Sequence, residues 1–77
     1  MTALRVTFDP ADPTHARCGD ADYVVTAEGS SVAVHRPDGA FVGWYSRIFY
    51  PHLAHAPTRQ GRRVAWAIGR ALDTRAP

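Results

Sequence analysis

Lysine and asparagine are absent from the 77-residue chain, and cysteine occurs once. The lone Cys18 excludes an internal disulfide, so no covalent staple supports the core. A chain this short buries only about 60% of the surface its unfolded form exposes. Ordering takes roughly 1.5 kcal/mol per residue and nearly cancels the gain from burial. A partner or a second copy is therefore one route to extra stability. No run approaches the ~20 apolar residues that cross a bilayer. The opening MTALRVTFDP lacks the apolar stretch of a signal peptide. A reduced thiol, a cytoplasmic location and no membrane partner are the expectation.

Catalytic signatures are missing as well. His52-x-x-His55 lies between prolines, with His15 and His35 elsewhere, and no second close pair of Cys or His accompanies it. Asp9, Asp12, Asp20 and Asp22 match no cation-loop spacing and read as a solvated acidic segment. Nothing places a base or an oxyanion hole near Cys18. Gly39-x-x-x-Gly43 lies in a turn and strand, unlike a phosphate loop. The chain reads as a non-enzyme, with no cofactor, no metal and no small-molecule substrate.

What is present is arginine and alanine. All nine basic residues are Arg, and thirteen residues are Ala. GC-rich codons encode Ala, Arg, Gly and Pro, whereas AT-rich codons encode Lys and Asn. The composition implies a high-GC genome, such as that of an actinobacterium or one of its phages. Residues 1–28 set Arg5 and Arg17 against Asp9, Asp12, Asp20, Asp22 and Glu28; the remainder sets seven Arg against Asp38 and Asp73. An acidic third and a basic remainder can pair internally or head to tail between copies. The net charge of +2 is too small to argue for nucleic acid by itself.

Periodicity predicts a single small α+β domain: a three- or four-stranded antiparallel meander with one C-terminal helix packed on one face. Leu4, Val6 and Phe8 alternate with Arg5 and Thr7, predicting a strand over 4–8 that extends the sheet edge or pairs with a second copy. Two prolines, a glycine and four aspartates predict an acidic loop over 9–22. Residues 23–50 read as the meander, with turns at 28–29 and 37–39. Those turns place Val25 opposite Val32 and Tyr23 opposite Val34, then Val34 opposite Val42 and Val32 opposite Trp44. Tyr23, Val25, Val32, Val34, Val42 and Trp44 thus share the predicted core face. Val24, Thr26, Ala33, His35, Phe41, Gly43 and Tyr45 fall on the open face, where Phe41 and Tyr45 are large for contact with water. PHLAHAP at 51–57 reads as a loop or one turn.

The helix is predicted over 58–72 with Thr58 as its cap. Gly61, Val64, Ala65, Ile68, Ala71 and Leu72 form its apolar stripe. Gly61 and Gly69 each weaken a helix by up to ~1 kcal/mol relative to Ala, unless they let a neighbour approach closely. Trp66 lies opposite the stripe, with Arg62 and Arg70 four residues away on either side and Arg63 three before it. Arg59 shares that half. An indole among guanidinium groups admits three readings. It covers a core edge beneath a solvated arginine face; it is a protein interface, where Trp and Arg are enriched; or it is a nucleic-acid surface.

The order of three antiparallel strands and a helix over residues 23–72 resembles the small DNA-binding domains of some integrases and of plant AP2-type factors. In those the open sheet face enters the major groove. That resemblance implies a reading face of Thr26, His35, Phe41 and Tyr45, with Arg47 the one basic side chain in register. In size, GC bias and missing catalysis the chain is also similar to small accessory proteins of actinobacteriophages, many of which bind a host macromolecule. The expected function is binding to a host protein or to itself as a homodimer. The contact residues are Arg59, Arg62, Arg63, Trp66 and Arg70 on the helix, or Phe41 and Tyr45 on the open sheet face. The alternative is nucleic-acid binding through the helix arginines and Trp66.

Overall fold

The computed structural model describes residues 4–46, 48 and 53–75. Its strands are β1 (Val6–Asp9), β2 (Asp12–Cys18), β3 (Ala21–Glu28), β4 (Ser31–His35), β5 (Phe41–Ser46) and β6 (Leu53–His55), followed by the helix α1 (Arg59–Arg75). All six strands form one antiparallel sheet in chain order, a meander with a C-terminal helix on one face. The α+β class and the meander are as expected, but the sheet has six strands rather than three or four.

Both extra strands lie where prolines argued for loops. β2 replaces the acidic loop expected over 9–22. Pro13 fits because the β1–β2 ladder is irregular between Phe8 and Asp9, and β2 pairs with β3 only from His15 onward. A proline has no N–H to give, so it is tolerated where the ladder asks for none. Asp9 and Asp12 instead close local turns, accepting from the N–H groups of Ala11 at 2.9 Å and Thr14 at 3.1 Å. β6 occupies part of the segment read as a loop over 51–57. β1 does extend the edge of this sheet, through β2. The expected last strand runs to residue 50, and its final residues apart from Ile48 lie outside the described ones, Arg47 among them.

Two register expectations change. The β3–β4 turn is Gly29-Ser30 rather than 28–29, pairing Val25 with Val34 and Ala27 with Val32. Gly29 has φ 62°, and a two-residue hairpin needs a positive φ at its first central position. A shift of two keeps every side chain on its face, so Tyr23, Val25, Val32 and Val34 are all buried as predicted. The β4–β5 correction is different in kind. His35 pairs with Phe41, but Val34 pairs with Gly43, Ala33 with Trp44 and Val32 with Tyr45. The extra residue is a β-bulge, and beyond it the faces exchange. Tyr45, expected on the open face, is fully buried; Trp44, expected in the core, is half-exposed on the opposite side.

The helix begins as predicted. The Thr58 Oγ1 accepts from the Gly61 N–H at 2.9 Å, and the Thr58 carbonyl accepts from Arg62 at 3.1 Å. Val64, Ala65 and Ile68 are buried against Val32, Val34, Val42 and Tyr45. α1 contacts β1 and β2 as well as β4, β5 and β6, but stands clear of β3. Five strand spacings would hold β1 and β6 about 24 Å apart in a flat sheet, while a helix is only about 10 Å wide. The sheet therefore curls around the helix, concave toward α1 and convex toward water.

α1 lies closest to β5, over glycines. A Cβ added to Gly43 would come within 2.8 Å of the Ala65 Cβ and 2.9 Å of the Gly61 carbonyl oxygen. One on Gly61 would collide with the Val42 carbonyl oxygen, and one on Gly69 with the Tyr45 ring. Replacing glycine by alanine in a helix normally gains about 1 kcal/mol, whereas overpacking a core costs about 1–3 kcal/mol. Tyr45 is enclosed and the Val42 oxygen belongs to the backbone, so neither can step aside. We expect Gly69→Ala and Gly61→Ala to lose about 2 kcal/mol each. Urea unfolding, with the exposed Gln60→Ala as a near-neutral control, checks this; a gain in stability would show the packing to be loose.

Candidate functional site

The predicted helix surface is assembled as drawn from the sequence. Arg59, Arg62, Arg63 and Arg70 are exposed, and Trp66 keeps 49% of its surface in water. The Arg70 guanidinium carbon lies 5.7 Å from the Trp66 ring centroid, within cation–π range. Among the described residues Arg59, Arg62 and Arg63 form no ion pair. The one described carboxylate on the helix, Asp73, turns to the sheet and accepts from the Tyr45 hydroxyl at 2.9 Å. The outward side of α1 thus gathers cationic groups around an aromatic ring.

Arg70 works on two sides. Besides covering Trp66 it interacts with the Tyr45 hydroxyl, drawing that group's pKa down. The net shift of Tyr45 is upward, first because burial disfavours the phenolate and then because Asp73 accepts a hydrogen bond from the neutral phenol and repels its anion. Tyr45 therefore belongs to the scaffold under the arginine surface, which corrects its expected place in a partner contact.

The convex sheet face carries the second candidate surface. Two cross-strand rows run over it. His15, Val24, His35 and Phe41 form one, and Thr26, Ala33, Trp44 and His55 the other. The His35 and Phe41 rings meet edge-on at 5.5 Å, and Trp44 lies 5.3 Å from His55. Phe41 is 48% exposed, as expected for a member of this face. The second aromatic ring there is Trp44, which sequence periodicity placed in the core. The signal that could have found it is Gly43, since a glycine inside a strand often marks a bulge. At the β2–β3 side, the His15 Nε2 lies 3.1 Å from an Asp22 oxygen and Arg17 lies 3.9 Å from the same oxygen. Among the described residues no element covers this face.

Among the described residues no three His, Cys, Asp or Glu side chains converge on a metal position. His52 lies outside them. Cys18 is buried beside the β1–β2 pair, where burial pushes its thiol pKa up and Arg63 draws it partly back. No known family, curated protein or solved structure matches the chain.

Burial of Tyr45 and Cys18 has a pH consequence with one sign. Both pKa values are higher in the fold than in the unfolded chain, so the fold prefers the protonated forms. Their contribution is complete below the unfolded pKa and is lost as pH rises through the folded value. In a Cys18→Ala background, Tyr45→Phe should be less stable at neutral pH but lose less stability above about pH 10. Circular dichroism at graded pH tests it; parallel alkaline curves for the two proteins would remove Tyr45 as the cause.

Proposed function

We propose that the protein is a non-catalytic binding protein whose principal contact is the arginine-and-tryptophan side of α1, and that its partner is a protein with an acidic surface. The observation that carries this is Trp66, an indole half in water with Arg70 over its face and three guanidinium groups on the same side that form no ion pair among the described residues. A solvated helix side gains nothing from an exposed indole. A contact does, because Trp and Arg supply much of the binding energy at interface centres. The aromatic convex face is a second surface on the opposite side of the sheet, and self-association through Phe41 and Trp44 would cover it.

The cationic groups on the helix side also favour a polyanion, which keeps nucleic acid as the second reading. Phosphate neutralisation makes such binding fall steeply with salt. Cross-linked complexes recovered from a source lysate should contain a specific protein with wild type and lack it with Trp66→Ala and with Arg62→Glu. Random DNA should bind weakly, with no change on Trp66→Ala. Tight DNA binding that drops linearly in log–log salt plots and is lost in Trp66→Ala would replace the protein reading with the nucleic-acid one. Light scattering of wild type and Phe41→Glu reports on self-association: a dimer lost in the variant assigns the convex face to a second copy.

A further inference from the structure

The curl of the sheet leaves a space where β3 stands clear of α1. At the N-terminal end of the helix that space opens as a cleft of about 200 Å³, lined by Tyr23, Arg36, Phe41, Val42, Pro57, Thr58, Gln60, Gly61 and Val64. Three kinds of donor without a partner among the described residues lie near it. Tyr23 is nine-tenths buried, at 9% exposure, and its hydroxyl has no hydrogen-bond partner among the described residues. Arg36 has no ion pair among them, although its backbone closes the β4–β5 turn. In the first turn of α1, Thr58 satisfies the N–H groups of Gly61 and Arg62, while those of Arg59 and Gln60 meet no acceptor among the described residues. A tyrosine this deeply enclosed usually has a partner for its hydroxyl, and the cleft is the open space beside this one.

The donors share a preference. A helix start favours negative charge through its free N–H groups and its dipole. A guanidinium fits a carboxylate through two parallel N–H bonds. The remaining walls, Val42, Val64, Pro57 and Phe41, are apolar. One cation and an apolar wall suit a monoanion with a hydrocarbon tail better than a phosphate dianion. The volume lies below the ~300 Å³ at which drug-sized pockets begin, so the occupant is a group of a few heavy atoms.

We infer that this cleft binds a small apolar carboxylate, either a free short-chain acid or the C-terminal carboxylate of a peptide. The carboxylate meets Arg36, the Tyr23 hydroxyl and the Gln60 amide, and the tail lies on Val42, Val64 and Pro57. None of the residues lining the cleft belongs to the Trp66 surface, and Phe41 alone is shared with the convex face, so loss of the Trp66 contact would leave this inference standing.

Backbone amide NMR of the intact chain tests it, with acetate, isovalerate, and an acetylated tripeptide ending in valine as free acid or as amide. Saturable shifts at Arg59, Gln60 and Gly61 are expected with isovalerate or the free-acid peptide, at dissociation constants on the order of millimolar. Isovalerate should bind more tightly than acetate, by about fourfold for each carbon buried. Arg36→Gln, an exposed change whose spectrum also reports folding, should weaken binding at least tenfold, and Tyr23→Phe severalfold. Binding of the free-acid peptide alone would identify a chain terminus as the source. Binding of isovalerate alone would identify a free acid. Shifts that never saturate, or an unchanged affinity in a folded Arg36→Gln, would overturn the inference, as would equal binding of the amide.

Discussion

The structure depends on how closely one helix can approach one strand. Gly43 of β5 faces Ala65 and the Gly61 carbonyl, Gly61 faces the Val42 carbonyl, and Gly69 faces the Tyr45 ring. Three missing side chains bring the two backbones together. β1 and β2 reach α1 because the sheet bends toward it. The helix gives up about 1 kcal/mol of propensity at each of its two glycines. Dispersion and burial along Val32, Val34, Val64 and Ile68 offset that loss. In a chain with no disulfide, this interface must supply much of what a larger core would provide.

Tyr45 connects that interface to the charged exterior. Its ring fills the space over Gly69, and its hydroxyl donates to Asp73 and interacts with Arg70, which in turn covers Trp66. Core packing and surface chemistry therefore share one residue. The arrangement also draws the helix carboxylate toward the sheet. Asp73 is held toward the sheet by a buried phenol, and the guanidinium groups of Arg59, Arg62 and Arg63 are left to water or to a partner.

The helix was legible because its signals are local. A threonine cap, a 3.6-residue apolar stripe and a tryptophan outside that stripe follow from spacing alone, and Thr58, Val64, Ala65, Ile68 and Trp66 are where the spacing puts them. The β3–β4 face was legible for a similar reason, since a two-residue error in register leaves alternation untouched. The bulge between Val34 and His35 was not legible. One extra residue reverses the alternation beyond it, and the sequence marks it only with Gly43. Prolines misled twice by composition. Pro13 sits inside a strand because the ladder is interrupted there, and β6 lies between the two prolines, Pro51 and Pro57, that argued for a loop. The cleft beside Arg36 escaped notice because its residues come from β3, the β4–β5 turn, β5 and the helix start, and only curvature gathers them.

The meander joins each strand to its predecessor, and the helix that lines the concave side is last in chain order. Hairpins of this kind can zip as they emerge, since each needs only the strand just made. α1 follows as seventeen more residues and can dock only after they have left the ribosome. Through that interval, whatever sheet has formed holds Tyr23, Val25, Val32 and Val34 toward water. Until α1 is in place, a chaperone or a neighbouring nascent chain would meet a valine-lined trough awaiting its own lid.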